Sequence, residues 1–338
     1  MGDKIVDVSI IIVNWNTKEL LSNCLCSIID RTEDLKYEII VVDNASTDGS
    51  SEMIRDRFPF VNLIESKKNL GFANGNNSAL AEVHGKYVLY LNPDTELKTN
   101  AIYGTANFLD THLEYGAAGC KILNPDGSIQ FTCARTFPSP FRQFCFLAML
   151  NRLFPKSRFF STVEMTYWDH SNSREIDCLS GAFMMVRKTL VDELHGFDEH
   201  LFMYAEDVDL CFRIKCNKKK IYYLGTEEIY HFEGAGTRKN TNPNFSSLLQ
   251  RESNYYFMRK HYGSAVGRRF KIAAFIGAII RLCALIILMP YLLIIYRNEN
   301  KKIINIIDKY YNILNWSVGR RSLKVPLSLR ETPIADNK

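Results

Sequence analysis

Asp94 closes the tetrapeptide Asn92-Pro93-Asp94-Thr95, which follows the apolar run Lys86-Tyr-Val-Leu-Tyr-Leu91. That run, short, β-branched and aromatic, reads as a buried strand. A carboxylate just past the C-terminal end of such a strand sits where open α/β sheets bind ligands. Beside a diphosphate, that carboxylate calls for a divalent cation to offset the like charges. Asx-Pro-Asp is also an ordinary turn, so the distant clusters decide. Val8-Ser-Ile-Ile-Ile-Val-Asn14 is an apolar run closing in Asn14-Trp15-Asn16. Glu38-Ile-Ile-Val-Val-Asp43 is a second, followed by Asn44-Ala-Ser-Thr-Asp-Gly-Ser50. Far downstream, Glu206, Asp207 and Asp209 gather where a helix starts, with Val208, Leu210 and Phe212 as its apolar positions. Acidic side chains suit the positive end of a helix.

Those residues need a scaffold, and the periodicity predicts one. Residues 18–29 place Leu20, Leu21, Leu25, Ile28 and Ile29 on one helical face. Ser46 to Ser51 caps a helix reaching Arg57, residues 61–64 form a third strand, 74–84 a helix and 87–91 a fourth strand. This alternation predicts a mainly parallel, Rossmann-like α/β sheet flanked by helices, with right-handed crossovers and polar strand ends on one edge. Further on, residues 101–109 read as a helix, 116–123 as a strand, Asn124-Pro-Asp-Gly127 as a turn and 128–134 as a returning strand. Residues 137–168, rich in Phe, Pro and Arg, read as irregular chain that covers an acceptor site, touches lipid, or buries its aromatics under a surface loop.

The order of these clusters points to a nucleotide-sugar site, and here a resemblance enters. The chain resembles the inverting glycosyltransferases of family 2, which have the GT-A fold, and within them the rhamnosyltransferase-like group of bacterial surface-polysaccharide synthesis. The matching text is Ser9-Ile-Ile-Ile-Val-Asn-Trp-Asn16, Val41-Val-Asp-Asn-Ala-Ser-Thr-Asp-Gly-Ser50, Asn69-Leu-Gly-Phe-Ala-Asn-Gly-Asn-Asn77 and Leu91-Asn-Pro-Asp94. It continues with Leu179-Ser-Gly-Ala-Phe183, Gly196-Phe-Asp-Glu199, Tyr204-Ala-Glu-Asp-Val-Asp-Leu210, and His231 with Gly234 and Gly236. The resemblance spans residues 8 to 238 and is far more specific for the family than for the sugar. It implies a catalytic domain over 1–240, with a nucleotide-binding half near 1–100 and an acceptor half near 101–240, followed by a helical membrane-associated region over 241–338.

The resemblance also implies roles. Asp43, with Asn14 and Asn16 after the first strand, would hold the nucleoside. Asn69, Gly71 and Asn74 open a helix whose glycines let backbone approach a ligand and whose N-terminus favours anions. Asp94 would bind Mg²⁺ or Mn²⁺ bridging two phosphates, with His231 completing the shell. The family often has two or three acidic residues here; this chain has Asn92 in the first place, which lowers the ligand charge. Asp207 is the candidate general base for an acceptor hydroxyl, Glu206 the runner-up, and Asp209 structural. Asp48 reads as a turn or helix cap. The implied partners are a nucleotide-diphosphate sugar donor and a lipid-linked or polysaccharide acceptor.

Composition agrees with an enzyme of this kind. The 338 residues are 46% hydrophobic and 23% charged, ordinary globular values. A net charge of +5 without an aromatic-interleaved basic stripe argues against nucleic acid. Nine scattered cysteines show neither zinc spacing nor a disulfide framework, so reduced thiols and a cytosolic setting are expected. No apolar leader precedes the first strand, which argues against secretion. Residues 272–296 are almost wholly apolar, broken by Arg281 and Pro290, and basic residues flank both ends. The run is long enough to cross a bilayer, which takes about 20 residues. Matching positive flanks favour a helix lying in one leaflet over a spanning one. The expected location is therefore the cytoplasmic face of the plasma membrane. Two other classes were weighed. A nucleotidyltransferase or dinucleotide enzyme needs glycines after the first strand, where Asn14-Trp15-Asn16-Thr17 stands. A non-catalytic membrane scaffold has no need of Asp94 and Asp207.

Overall fold

The computed structural model describes residues 6–232, 243–295 and 300–320. Tyr296, Gly234 and Gly236 lie outside them. The chain begins with β1 (Val8–Asn14), α1 (Lys18–Arg31), β2 (Tyr37–Asp43), α2 (Ser50–Arg57), β3 (Asn62–Glu65), α3 (Gly71–Ser78), β4 (Tyr87–Leu91) and β5 (Thr95–Leu97). It continues through α4 (Ala101–Thr111), β6 (Tyr115–Leu123), β7 (Ala134–Arg135), α5 (Pro140–Leu147), α6 (Leu150–Leu153), β8 (Arg174–Ile176), β9 (Cys178–Leu179) and β10 (Phe183–Arg187). It then forms α7 (Lys188–Leu194), α8 (Glu206–Cys216), β11 (Lys220–His231), α9 (Pro243–Tyr262), α10 (Ser264–Ile295) and α11 (Asn300–Ser317).

The residues form two compact units, one of 1–137 and 168–240, the other of 138–167 and 241–338. In the first, the main sheet runs β3-β2-β1-β4-β10-β6-β11-β5, with β8 added on β11. All seven residues of β1 are buried, so both faces of its pleat are covered, as a central parallel strand requires. Each Ile or Val buried there stabilises the fold by roughly 1.5–3 kcal/mol. The pairs β3-β2, β2-β1 and β1-β4 are parallel, as the strand and helix alternation predicts. β10 then runs antiparallel to both β4 and β6, and β5 antiparallel to β11. Register sets Asn14 beside Asp43 and His231 opposite Thr95, so polar residues from distant segments meet at one edge.

Three local expectations change. Residues 128–134 return as a strand only briefly: Ile129 bridges Leu123 antiparallel, then Phe131–Cys133 form a 3₁₀ turn and β7 pairs with β9. The Gln130 amide N–H bonds to the Ile122 carbonyl at 2.9 Å beside that bridge, and the Cys133 amide then bonds to the Gln130 carbonyl at 3.1 Å, which ends the return. Residues 137–168 are not simply irregular; they hold α5 and α6, and 138–167 pack within the second unit. α3 begins at Gly71 and stops at Ser78, short of residue 84. Its asparagines spend their side chains on other backbone groups, as short polar side chains tend to do. Asn77 donates to the Phe197 carbonyl at 2.8 Å and accepts from the Phe197 amide at 2.9 Å. Asn74 donates to the Glu199 carbonyl at 3.2 Å, and the Phe72 amide donates to the Phe202 carbonyl at 2.9 Å. α3 thus pins the loop that leads into α8.

In the second unit α10 crosses α5 closely. A Cβ added at Gly277 would stand 2.5 Å from the Leu147 Cβ, and Ala274 and Ala278 beside it are fully buried. The opposite side of α10 exposes Ile272, Ile276, Ile279 and Ile280, and nearer its end Ile286, Ile287, Leu288, Tyr291, Leu293, Ile294 and Ile295 are exposed. Ser264–Tyr291 is long and apolar enough to cross a membrane.

Asn77→Ala removes both bonds to residue 197, and with them the clamp on the α8 approach. We expect a loss of about 1–3 kcal/mol in urea unfolding, since the freed partners are half-buried. An unchanged midpoint would show that the clamp carries no stability.

Candidate active site

The edge formed by the C-terminal ends of β1, β2 and β4 is polar by a tight internal network. Asn14 Nδ2 donates to Asp43 Oδ1 at 2.8 Å and to Ser46 Oγ at 3.1 Å, while Asp43 Oδ2 accepts from the Ser46 amide at 2.9 Å. Thr17 Oγ1 donates to Asn14 Oδ1 at 2.6 Å. Asn14 and Asp43 are buried. They therefore lie behind the wall of the pocket, whose surface is made by Trp15, Thr17, Asn44, Asn69, Gly71 and Phe72 with Asn92, Asp94 and Met203. Asn16 turns away to accept from the Thr47 amide at 2.7 Å, and holds φ of +54°. Asp48 is a double cap: it accepts from the amides of Lys18 and Ser50.

Asn44 is a pocket residue that its place in the sequence does not single out. Its Nδ2 donates to the Gly71 carbonyl at 3.0 Å, and its buried Oδ1 has no partner. An unpaired buried acceptor is costly, and here it faces a pocket where a hydroxyl or ring N–H could satisfy it. Gly71 holds φ of +79°, and a Cβ there would meet the Phe202 carbonyl oxygen at 2.5 Å, so only glycine fits. Asn69 accepts from the Gly71 amide at 2.8 Å and Asn74 faces the 199 loop, so of this cluster only Asn69 and Gly71 line the pocket.

The β5-β11 pairing brings His231 to Asp94, with Nε2 to Oδ1 at 3.1 Å. Asn92 Nδ2 is 3.2 Å from the same Nε2 although 139 residues separate the two in sequence. Gln130 fixes the ring. Its Nε2 donates to the His231 carbonyl at 2.7 Å, so its Oε1, 2.9 Å from Nδ1, must accept from Nδ1–H. Nε2 is left to face the carboxylate. Two acceptors at that spacing are compatible when a proton or a cation lies between them, and an outer partner that sets the tautomer is the usual support of a metal-binding His. One carboxylate and one imidazole fit a Mg²⁺ or Mn²⁺ that takes its remaining ligands from phosphates and water. Among the described residues no third His, Cys, Asp or Glu joins them.

The acidic pair sits at the start of α8. Tyr204 and Ala205, directly before it, both hold left-handed backbone, at φ +69° and +62°. Two such non-glycine residues store strain, and they aim the first turn. Asp207 Oδ2 accepts from the Gly181 amide at 3.2 Å and from Arg135, while Oδ1 accepts from the Val208 amide at 2.8 Å. Arg135 also donates to the Leu179 carbonyl at 3.1 Å. A Cβ added at Gly181 would stand 3.4 Å from the Phe72 ring and 3.7 Å from the Asp207 Cβ. Phe72, which lines the pocket, and Asp207 thus both lie close to Gly181. Glu206 is buried and its Oε2 has no partner. Burial first, and the Asp207 charge second, push its carboxyl well above the ordinary range. Asp209 is fully buried and pairs with Arg213 at 2.7 Å, which in turn holds the carbonyls of Leu194 and Gly196.

Arg135, Gln130 and the Gly181 amide have no local sequence signal of these roles; each acts through a partner far along the chain.

Residues 9–194 match the family described as Glycosyl transferase family 2. The chain is 27% identical over 266 residues to the N-acetylglucosaminyl-diphospho-decaprenol L-rhamnosyltransferase of Mycobacterium tuberculosis, covering 75% of this chain and 85% of that one. It is 26% identical over 234 residues to the rhamnosyltransferase WbbL of Escherichia coli, covering 67% and 83%. In structure it is similar to the mannosyltransferase PcManGT of Pyrobaculum calidifontis, solved with GDP-Man and Mn²⁺, with a TM-score of 0.58 at 14% identity over 94% of this chain and 88% of that one. That likeness establishes the fold as GT-A.

The Glu206 carboxyl gives a pH signature. In the folded chain it keeps its proton up to about 8, against an ordinary 4.5. The unfolded chain gives up the proton first, so between those values the folded state binds more protons and stability falls as pH rises. Glu206→Gln should flatten that slope in urea unfolding across the window. An unchanged slope would place an ionised carboxylate there instead.

Proposed function

The chain belongs to glycosyl transferase family 2, and we propose that it moves a hexose, rhamnose or a close relative, from a nucleotide-diphosphate sugar to a hydroxyl of a lipid-linked or polysaccharide acceptor in cell-surface glycan synthesis, with inversion. The observation that carries this reading is the meeting of His231, at 3.1 Å, with Asp94, which lines a pocket together with Asn44, Asn69, Gly71 and Phe72. The rhamnosyltransferase relatives support the sugar and the lipid-linked acceptor.

The nucleoside would lie against Trp15 and Thr17, with Asn44 Oδ1 accepting one of its donors. Asp43 and Asn14 brace that wall from beneath, and Asp43 keeps a second lone pair on each oxygen for a ribose hydroxyl or a base N–H. Gly71 and Asn69 leave room for close approach to the phosphates. A Mg²⁺ or Mn²⁺ held by Asp94 and His231 would supply Lewis-acid stabilisation of the departing diphosphate. Asp207 takes the proton of the acceptor hydroxyl as that oxygen forms its bond to the anomeric carbon. The bond from that carbon to the diphosphate oxygen breaks on the opposite face, and its electron pair leaves with the nucleoside diphosphate. Arg135 holds Asp207 in place and competes with the hydroxyl for Oδ2, so the acceptor must draw the carboxylate partly from the guanidinium. Glu206, neutral beside it, adds no second negative charge near the donor.

The catalytic domain would sit on the cytoplasmic face of the plasma membrane, where a cytosolic nucleotide-sugar meets a lipid-borne acceptor. The exposed isoleucines of α10 support burial of that helix in the leaflet, lying in its plane or crossing it.

Asp207→Asn should leave donor binding nearly intact and cut transfer by at least about 100-fold. Chelation by EDTA should abolish transfer by the unmodified enzyme, with Mg²⁺ or Mn²⁺ restoring it. Near-normal turnover in the variant removes Asp207 as base; full activity in chelator removes the cation. In cell fractionation the protein should resist high salt and carbonate washing. Its recovery in the soluble fraction without detergent would refute membrane attachment, and protease access to the C-terminal tail from outside would establish a crossing.

A further inference from the structure

We infer that the second unit carries a binding site for the phosphate group of a membrane lipid, formed by Arg251 of α9, Arg281 of α10 and Lys309 of α11, with Arg152 of α6 at its mouth. Arg281 interrupts the apolar run of α10, where an unpaired cation is expensive in lipid. Its guanidinium lies over the ring of Tyr310, 5.0 Å from the centroid, and its Nη1 is buried with no partner. Tyr310 is buried, so this contact turns Arg281 inward between α10 and α11. Arg251 is only 4% exposed. It spends Nη1 on the carbonyl and hydroxyl of Ser247, at 2.6 and 2.7 Å, and its buried Nε has no partner. Burial lowers its pKa to about 10. Lys309 is depressed too, by burial first and then by Arg251, Arg281 and Arg152.

α9, α10 and α11 pack on one another and so bring Arg251, Arg281 and Lys309 into one bundle, within range of the Arg152 charge, and among the described residues no carboxylate forms an ion pair with any of the four. The arrangement grades outward: Arg251 is buried, Arg281 and Lys309 are half-buried, and Arg152 is exposed. Buried like charges with open N–H groups destabilise a fold unless an anion completes them. A phosphate or diphosphate does so, because its oxygens accept several charge-assisted bonds at once and guanidinium forks match them. The anion should belong to a lipid. Next to Arg152, Leu153 and Phe154 are 66% and 50% exposed, and α10 offers an apolar surface along which a tail could lie. The chemistry is shared by a polyprenyl diphosphate and an anionic phospholipid.

Co-sedimentation of the full chain with vesicles tests this without relying on transfer activity, so its outcome is separable from the catalytic reading. Vesicles of phosphatidylcholine alone are compared with the same vesicles containing polyprenyl diphosphate or phosphatidylglycerol. The doped vesicles should bind more tightly, and free pyrophosphate should compete. The double variant Arg281→Gln, Lys309→Gln should lose about tenfold in affinity for doped vesicles, with unchanged binding to phosphatidylcholine and a melting temperature, without lipid, no lower than that of the unmodified chain. Arg152→Gln, on the surface, should give a smaller loss in the same direction and covers the case in which the double variant does not fold. A preference for the diphosphate assigns the site to a lipid-linked substrate, and equal binding assigns it to the phospholipid headgroup. Doped vesicles that bind no better than phosphatidylcholine, or folded variants that bind them like the unmodified chain, would overturn the proposal.

Discussion

A turn of three residues, Ser180 to Ala182, holds the catalytic edge together. On one side the Ala182 carbonyl accepts from the Asn92 amide at 3.1 Å; on the other the Gly181 amide donates to Asp207. The turn exists because β10 runs antiparallel to β4, with Phe183 opposite Leu91. Reversing direction at that strand lets the start of β10 meet the end of β4. In an all-parallel sheet the segment before the next strand would stand at the opposite edge, and Asp94 would be separated from Asp207 by the length of a strand.

Around that turn the site is built from polar groups that brace one another. Asn14, Asp43, Ser46 and Thr17 form one buried network, and Gln130, His231, Asp94 and Asn92 form another. Buried networks of this kind are favourable when every member has a partner. The exceptions face the pocket or the acidic pair: Asn44 Oδ1, Glu206 Oε2 and Arg135 Nε lack partners, and Tyr204 and Ala205 hold left-handed backbone. Strain and unsatisfied groups are costs that a fold tolerates where a ligand relieves them. The loop before α8 can carry that strain because α3 clamps it at residues 197, 199 and 202.

The second unit follows a different physics. Small residues let α10 lie close on α5, while large apolar side chains on its other side remain exposed to whatever solvates them. Arg281 conflicts with the apolar pattern when the helix is read as a string. The conflict resolves in three dimensions, because the Arg281 guanidinium lies over Tyr310 of α11, away from the exposed apolar side of the helix.

The run of buried residues in β1, the parallel order of the first four strands and the polar residues that end them were legible in the amino-acid sequence, since strand period and burial follow from local side-chain pattern. So was the family, carried by motifs from Ser9 to His231. The same pattern made the return at 128–134 too long, because a local 3₁₀ turn ends it after the Ile129 bridge, and let α3 run too far, because its asparagines bond to distant backbone. Pairings across long separations are invisible to local pattern. Only the tertiary structure places Arg135 on Asp207 and Gln130 behind His231, ties the buried Asp43 to Asn14 and Ser46, and leaves Glu206 Oε2 without a partner. Sequence names the chemical groups an active site needs. Their protonation, pairing and reach depend on which neighbours the strand order brings within a few ångströms, and that order is settled by the packing of the whole sheet.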